Sequence, residues 1–192
     1  MKLTYLTSNP FKFREAKIIL ADQYGFDLEI MDPDFELYEI QAKTCAEVVA
    51  FTAKYGADKL GRPCLKSDTG LYLDALGGLP GPYNAYFDKQ IGVEKFLHMI
   101  RDEKNRKARI EHCFAYCEPG GEPKVFVGGG SGTIATKPRG KDGRWHDFFY
   151  IPDGDTRTLA EIGDQDQAEK ANYYGDAIHD FAKWYQQNVL NK

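Results

Sequence analysis

The chain has 192 residues, 42% of them hydrophobic and 14% aromatic, which is enough for a single domain spanning 1–192 with a real core. Its 25 Lys and Arg against 29 Asp and Glu give a formal net charge of -4, which argues against a general binder of polymeric nucleic acid, because no global positive field faces phosphates. A small anionic ligand needs only a local positive pocket; no apolar run nears the roughly 18 residues of a membrane span, and the opening apolar segment is too short for a signal peptide, so no membrane partner and a cytoplasmic setting are expected.

Residues 3–7 alternate weakly and predict a first strand. Asn9-Pro10 then opens a helix, since Asn is a good N-cap and Pro suits the first helical position, and apolar spacing carries that helix to about Gln23. Asp27–Met31 predicts a second strand, followed over 32–43 by a loop rich in carboxylates, including Glu39. Thr44 and Glu47 form a capping box for a helix running to about Lys59, stopped by Gly61-Arg62-Pro63. Cys64–Ser67 predicts a short strand that ends at Asp68-Thr69-Gly70, and Gly77 to Pro82 is a dense turn cluster with no regular structure. Ile91–Arg101 predicts a third helix. Strands follow at 109–117 and 124–127 around a Pro119-Gly120-Gly121 hairpin, with another at 132–136 after Gly128-Gly129-Gly130. Pro138 to Gly154 reads as loop, and a last helix spans about Gln165 to Asn188 with an interruption expected at Gly175. Helices alternate with strands and then strands cluster, so the class is α/β with a mixed sheet.

Cys45, Cys64, Cys113 and Cys117 include no C-x-x-C pair, and the spacing of Cys113 and Cys117 along a strand is too long for a bridge. Four free buried thiols are expected; a zinc site from His112, Cys113, Cys117 and His146 lacks ligand spacing.

Several stretches carry chemistry. Thr7-Ser8-Asn9-Pro10-Phe11-Lys12 lies where a strand hands over to a helix, so the helix terminus, the Ser8 and Asn9 donors and the Lys12 charge form a natural phosphate seat; the alternative is an ordinary N-cap beside a surface lysine. Glu39 and Asp68 lie where loops converge, and two carboxylates together with phosphate oxygens suit Mg²⁺; a solvated acid and a turn former are the alternatives. Gly128 to Gly132 has the composition of a phosphate loop but lacks Gly-Lys-Ser/Thr, and a bulge or hairpin explains it better. The aromatics around Trp145, His146 and Asp147 either stack on a nucleobase or belong to the core.

Taken together, Thr7-Ser8-Asn9-x-x-Lys12 with Glu15, then Glu39, Ser67-Asp68-Thr69-Gly70, Leu76-Gly77-Gly78-Leu79-Pro80-Gly81-Pro82-Tyr83, Pro138-Arg139-Gly140, Pro152-Asp153-Gly154 and Thr158-Leu159-Ala160-Glu161 resemble the inosine triphosphate pyrophosphatase family over nearly the whole chain. The resemblance implies an elongated two-lobed α/β fold, a mixed sheet flanked by helices with a central cleft, and a homodimer. It implies Mg²⁺-dependent hydrolysis of a nucleoside triphosphate, such as inosine or xanthosine triphosphate or a deoxy form, to the monophosphate and pyrophosphate. Thr7, Ser8, Asn9 and Lys12 match the triphosphate-binding motif. Glu39 and Asp68 match the metal-site carboxylates, Asp68 also the proton acceptor, with Lys12 assisting departure of pyrophosphate, and Thr69 a substrate-contacting hydroxyl.

The base end departs from the pattern. The family's Gly-Phe-Gly-Tyr/Trp-Asp-Pro block aligns with Gly143 to Phe148, where Gly143 and Asp147 survive and His146 supplies a ring beside Trp145. Lys170 matches the family's later lysine, but its Ser-His-Arg positions read Tyr174-Gly175-Asp176. An ionised acid accepts hydrogen bonds and cannot donate to a keto oxygen. A changed base specificity is therefore an alternative, with Asp176, helped by Tyr173, Tyr174, Arg144 or His146, reading a base edge that carries an amino group; otherwise Asp176 is a solvated helix residue and specificity is carried elsewhere. A catalytically weak nucleotide-binding protein and a pyrophosphatase of the related Maf type are the alternative readings.

Overall fold

The structure is a computed structural model and describes residues 2–173 and 175–190. Strand β1 (Lys2–Tyr5) leads to helix α1 (Pro10–Ala16), which widens into a π-turn over Lys17–Ala21. Strand β2 (Asp27–Ile30) follows, then α2 (Cys45–Leu60), whose Thr44–Glu47 capping box forms and whose stop is Gly61 in the left-handed conformation. Next come β3 (Cys64–Leu73), β4 (Pro80–Gly81), α3 (Asn84–Gln90), α4 (Gly92–Met99), β5 (Lys107–Cys117) and β6 (Lys124–Ile134). A 3₁₀ turn at Trp145–Phe148, strand β7 (Tyr150–Pro152) and helices α5 (Leu159–Gln165), α6 (Gln167–Asn172) and α7 (Gly175–Tyr185) complete the order, with a π-turn at Gln186–Leu190.

The strands form a seven-stranded sheet in the order β2-β1-β3-β5-β6-β7, with β4 added on β3. Strand β1 runs parallel to both β2 and β3, whereas β4 is antiparallel to β3 and β7 to β6, so this is a mixed sheet with flanking helices. By its contacts the chain divides into two compact units: Met1–Asp68, His112–Gly128 and Tyr174–Lys192 make one, Thr69–Glu111 and Gly129–Tyr173 the other. Strands β3, β5 and β6 each contribute one end to either unit.

In the first unit, Leu6, Met31, Val49, Ala53, Ala57, Ala115 and all four cysteines form one apolar cluster. The cysteines are free and buried, and burial pushes the Cys64 thiol up to about 12, so it packs as a small hydrophobe. Phe26, Tyr116, Phe126, Phe181, Trp184 and Tyr185 make a second, aromatic cluster that seats α7. In the second unit, Phe87, Phe96, Trp145 and Phe149 pack with ring centroids 4.7 to 6.3 Å apart.

Five sequence-based expectations are corrected. Strand β3 does not end at Ser67 but runs on to Leu73, so Asp68 lies within a strand. It is buried along most of its length, and the polar run Lys66 to Thr69 hides the strand pattern. Residues 124–127 and 132–136 are not separate strands: β6 passes straight through its glycines. At Gly129 (φ +143°) a Cβ would lie 2.0 Å from the Ile110 carbonyl oxygen, so the glycine admits the neighbouring backbone rather than a turn. The turn cluster holds the short strand β4, and the stretch Pro138 to Gly154 holds both the 3₁₀ turn and β7. Finally, α5 precedes the expected last helix, which starts at Gln167 because Asp166 in an extended conformation caps α6; the interruption expected at Gly175 is found, since α6 ends at Asn172 and α7 begins at Gly175.

Candidate active site

The opening turn of α1 uses its own donors. The Asn9 carboxamide oxygen accepts from the backbone N–H of Phe11 at 2.9 Å and of Lys12 at 3.3 Å, and the Phe13 N–H donates to the Asn9 carbonyl. Pro10 has no N–H, and the Asn9 N–H donates to Thr7 Oγ1 at 3.1 Å. The Phe11 and Lys12 N–H groups of the expected phosphate seat are thus engaged by the Asn9 cap. The charge that remains is the Lys12 ammonium, which reaches the Ser67 carbonyl at 3.3 Å and Asp68 Oδ1 at 3.4 Å. Thr7 is buried and Ser8 is exposed.

Successive residues of β3 face opposite sides of the sheet. Ser67 turns to the Tyr5 hydroxyl, with which it shares a short buried hydrogen bond. Lys66 and Asp68 share the other side. Lys66 is buried, and its ammonium lies 2.5 Å from Glu39 Oε1. Burial pushes the Lys66 ammonium down from the ordinary lysine range, against the pull of Glu39, and Lys12 and Asp68 also act on it electrostatically. The loop that carries Glu39 is tied to α2 by the Thr52 hydroxyl, which donates to the Tyr38 carbonyl, and by the Tyr38–Tyr55 ring contact. Glu39 and Asp68 therefore both stand in the first unit, each against a lysine and both within reach of Lys66. Lys66 is the participant that sequence reasoning missed; its signal is a lysine two residues before Asp68 in an otherwise apolar strand start.

The second unit gathers a different set. Asp147 is fully buried: Lys170 Nζ lies 2.6 Å from its Oδ2, His146 Nε2 3.4 Å from its Oδ1, and the Arg144 N–H donates to Oδ2 at 2.7 Å. Burial alone pushes the Asp147 carboxyl up, but Arg144, His146 and Lys170 outweigh it and hold the group well below the usual carboxylate range. Gly163 makes room for this arrangement, since a Cβ there would fall 2.6 Å from Lys170 Cδ. Arg144 Nη1 also donates to Thr69 Oγ1 at 3.3 Å, and Asn84 Nδ2 to the Thr69 carbonyl at 3.0 Å. Trp145 is packed edge-on against Phe96 and Phe149 and belongs to the core.

Asp176 belongs to the first unit and is exposed in the first turn of α7, whereas Tyr173 belongs to the second and donates to Asp155 at 3.2 Å. Tyr174 lies outside the described residues. Among the described residues no group of three or more His, Cys, Asp or Glu side chains is placed to hold a metal ion, and this includes His112, Cys113, Cys117 and His146.

Against known proteins, the model of the Ham1 family matches residues 3–184. The chain belongs to the Ham1 family. It is 41% identical to the dITP/XTP pyrophosphatase of Methanopyrus kandleri, over 100% of both chains. It is 37% identical to the dITP/XTP pyrophosphatase of Thermococcus kodakarensis, over 98% of this chain and all of that one. The HAM1 protein of Coxiella burnetii has the same fold, with a TM-score of 0.80 at 24% identity over 97% of this chain and 99% of the other. The mixed sheet with flanking helices is thus the Ham1 fold, and the sequence resemblance pointed to relatives of the right kind.

Proposed function

We propose that this chain hydrolyses inosine or xanthosine triphosphate, or a deoxy form, to the monophosphate and pyrophosphate with a divalent cation. Its enzyme class, a pyrophosphatase acting on acid anhydrides, follows from the family and from full-length relatives of that name. One observation carries the reading of the site: Glu39 and Asp68, from distant stretches, both stand beside the buried Lys66, with Lys12 on Asp68.

The donor set fits Mg²⁺. Two carboxylates offer hard oxygens, and Mg²⁺ is usually held by one or two carboxylates plus substrate phosphates rather than by an all-protein cage. Glu39 and Asp68 would hold the ion. Once bound, it supplies neutralisation of charge on the phosphate oxygens. The chain's own residues do the rest. Asp68, steadied by Lys12, accepts the proton of the attacking water. Lys12 offsets the charge that develops on the departing pyrophosphate, and Ser8, Asn9 and Thr7 border the same turn.

The nucleoside is assigned to Thr69, Arg144 and His146, with Asp147 and Lys170 holding them from the interior and Trp145 backing them from the core. Their chemistry supports a keto-bearing purine: Arg144, His146 and Lys170 are donors gathered on one buried carboxylate. An amino-edge reading by Asp176 has less behind it, since Asp176 is exposed. A panel of triphosphates with Mg²⁺, read by pyrophosphate release, tests the proposal. Preference for inosine and xanthosine forms is expected; equal rates on adenosine or cytidine triphosphate, or binding without turnover, overturn it. The whole chain acting as one catalytic domain, a homodimer and a cytoplasmic setting complete the proposal, and light scattering in solution checks the dimer. No helix among the described residues is long and apolar enough to cross a membrane.

A further inference from the structure

Lys66 is an unusual residue for its place. It lies buried near the start of β3, beside Leu65, where an apolar side chain would fill the space at less cost in desolvation. Its ammonium is held by Glu39, and Asp68 and Lys12 are its other charged neighbours. Lys12 in turn lies on Asp68. Two carboxylates therefore meet two ammonium groups, and the formal charge of the group is zero before any ligand arrives. The two lysines differ. The Lys12 side chain keeps 18% of its surface exposed at the end of a helical turn, whereas that of Lys66 keeps 5% and is anchored in a sheet strand. Lys12 has solvent to swing into; Lys66 does not.

We propose that Lys66 is a built-in counter-cation that holds off a divalent ion from Glu39 and Asp68 until a triphosphate is seated. The inference rests on the reading of those two acids as the metal-holding pair. A free divalent ion gains little from carboxylates already matched by ammonium groups, and the fixed Lys66 charge repels it at close range. A triphosphate brings several negative charges and tips the balance. Metal and nucleotide then enter together, and by linkage each raises the affinity for the other by the same factor. The protein thereby avoids filling its site with metal alone.

The test uses the whole protein and Mn²⁺ as probe, with the free-ion electron paramagnetic resonance signal as readout and no turnover involved. Without nucleotide, Lys66→Met and Lys66→Gln are expected to bind Mn²⁺ about tenfold more tightly than the parent. With a non-hydrolysable α,β-methylene triphosphate present, parent and variants are expected to converge to within about threefold, so the metal–nucleotide coupling shrinks in the variants. Thermal melts of both variants check that they are folded. Mn²⁺ affinity that is unchanged or weaker in both folded variants overturns the proposal, since Lys66 would then merely support Glu39. Glu39→Gln and Asp68→Asn separate this from failure of the underlying reading. If they weaken Mn²⁺ binding in the presence of the analogue while the Lys66 variants do nothing, only the Lys66 proposal falls. If they leave it unchanged, the acids do not hold the metal and both fall.

Discussion

Both units of the molecule set lysines against carboxylates, but in opposite surroundings. In the first, Glu39 keeps 54% of its side-chain surface exposed and Asp68 20%, with lysines at 2.5 and 3.4 Å. In the second, Lys170 and Asp147 are both fully buried at 2.6 Å, with Arg144 and His146 around the same carboxylate. Half-exposed pairs can exchange partners, because water and incoming ligands compensate a displaced charge. A sealed group cannot, because a lone buried charge is very costly. The first arrangement suits residues that must trade an ion pair for phosphate or metal; the second suits residues that must hold donors in fixed positions.

The sharpest way to break that contrast is Asp147→Asn. It strands cations in the interior and is expected to lower stability by about 3–5 kcal/mol, read by denaturant unfolding. The folded Asp147 carboxyl titrates below its unfolded value of about 3.9, so its stabilisation is complete above that pH and is lost only as pH falls through the lower folded value. The gap between parent and variant should therefore stay constant from neutral pH down to about 4 and close below it. A gap that closes already near neutral pH would show that the carboxyl is not held low.

Asp68→Asn probes the other side of the contrast. Turnover should fall by about 10²–10³-fold while the variant stays folded and still binds nucleotide, as measured by pyrophosphate release and by equilibrium binding. Unchanged turnover removes Asp68 from the chemistry. Lys12→Met should reduce kcat/KM by about tenfold or more with a change in stability of no more than about 1 kcal/mol, since the pair it breaks is partly solvated. The smallest effect is expected from Lys66→Met on stability. Burial disfavours the Lys66 charge, so an apolar replacement should leave the unfolding midpoint unchanged or raise it by the equivalent of about 1 kcal/mol. Lys170→Met, by contrast, should destabilise clearly, and equal behaviour of the two lysines would erase the distinction between the units.

Much was legible in the sequence because it is encoded locally. The Thr44–Glu47 capping box, the Asn9-Pro10 helix start and the left-handed stop at Gly61 depend on neighbouring residues and are found where their residue types predict them. The motif blocks from Thr7 to Glu161 sufficed to point to the family. The extent of β3 and β6 was not legible, since Lys66 to Thr69 reads as polar and Gly128 to Gly130 as a turn until neighbouring elements pack against them. Nor was it legible that Asn9 caps α1 through its carboxamide oxygen, because only hydrogen-bond geometry shows which N–H groups that oxygen takes.

What the sequence by itself determined is therefore the residue inventory, the local starts and stops, and the family resemblance. Only the tertiary structure decided which charges meet: Lys66 with Glu39 across 27 positions, Lys12 with Asp68 across 56, and Lys170 with Asp147 in a sealed interior. Local signals act through backbone geometry over a few residues. A charge pair depends on burial and on a separation of a few ångströms between distant stretches, which are set when the sheet assembles.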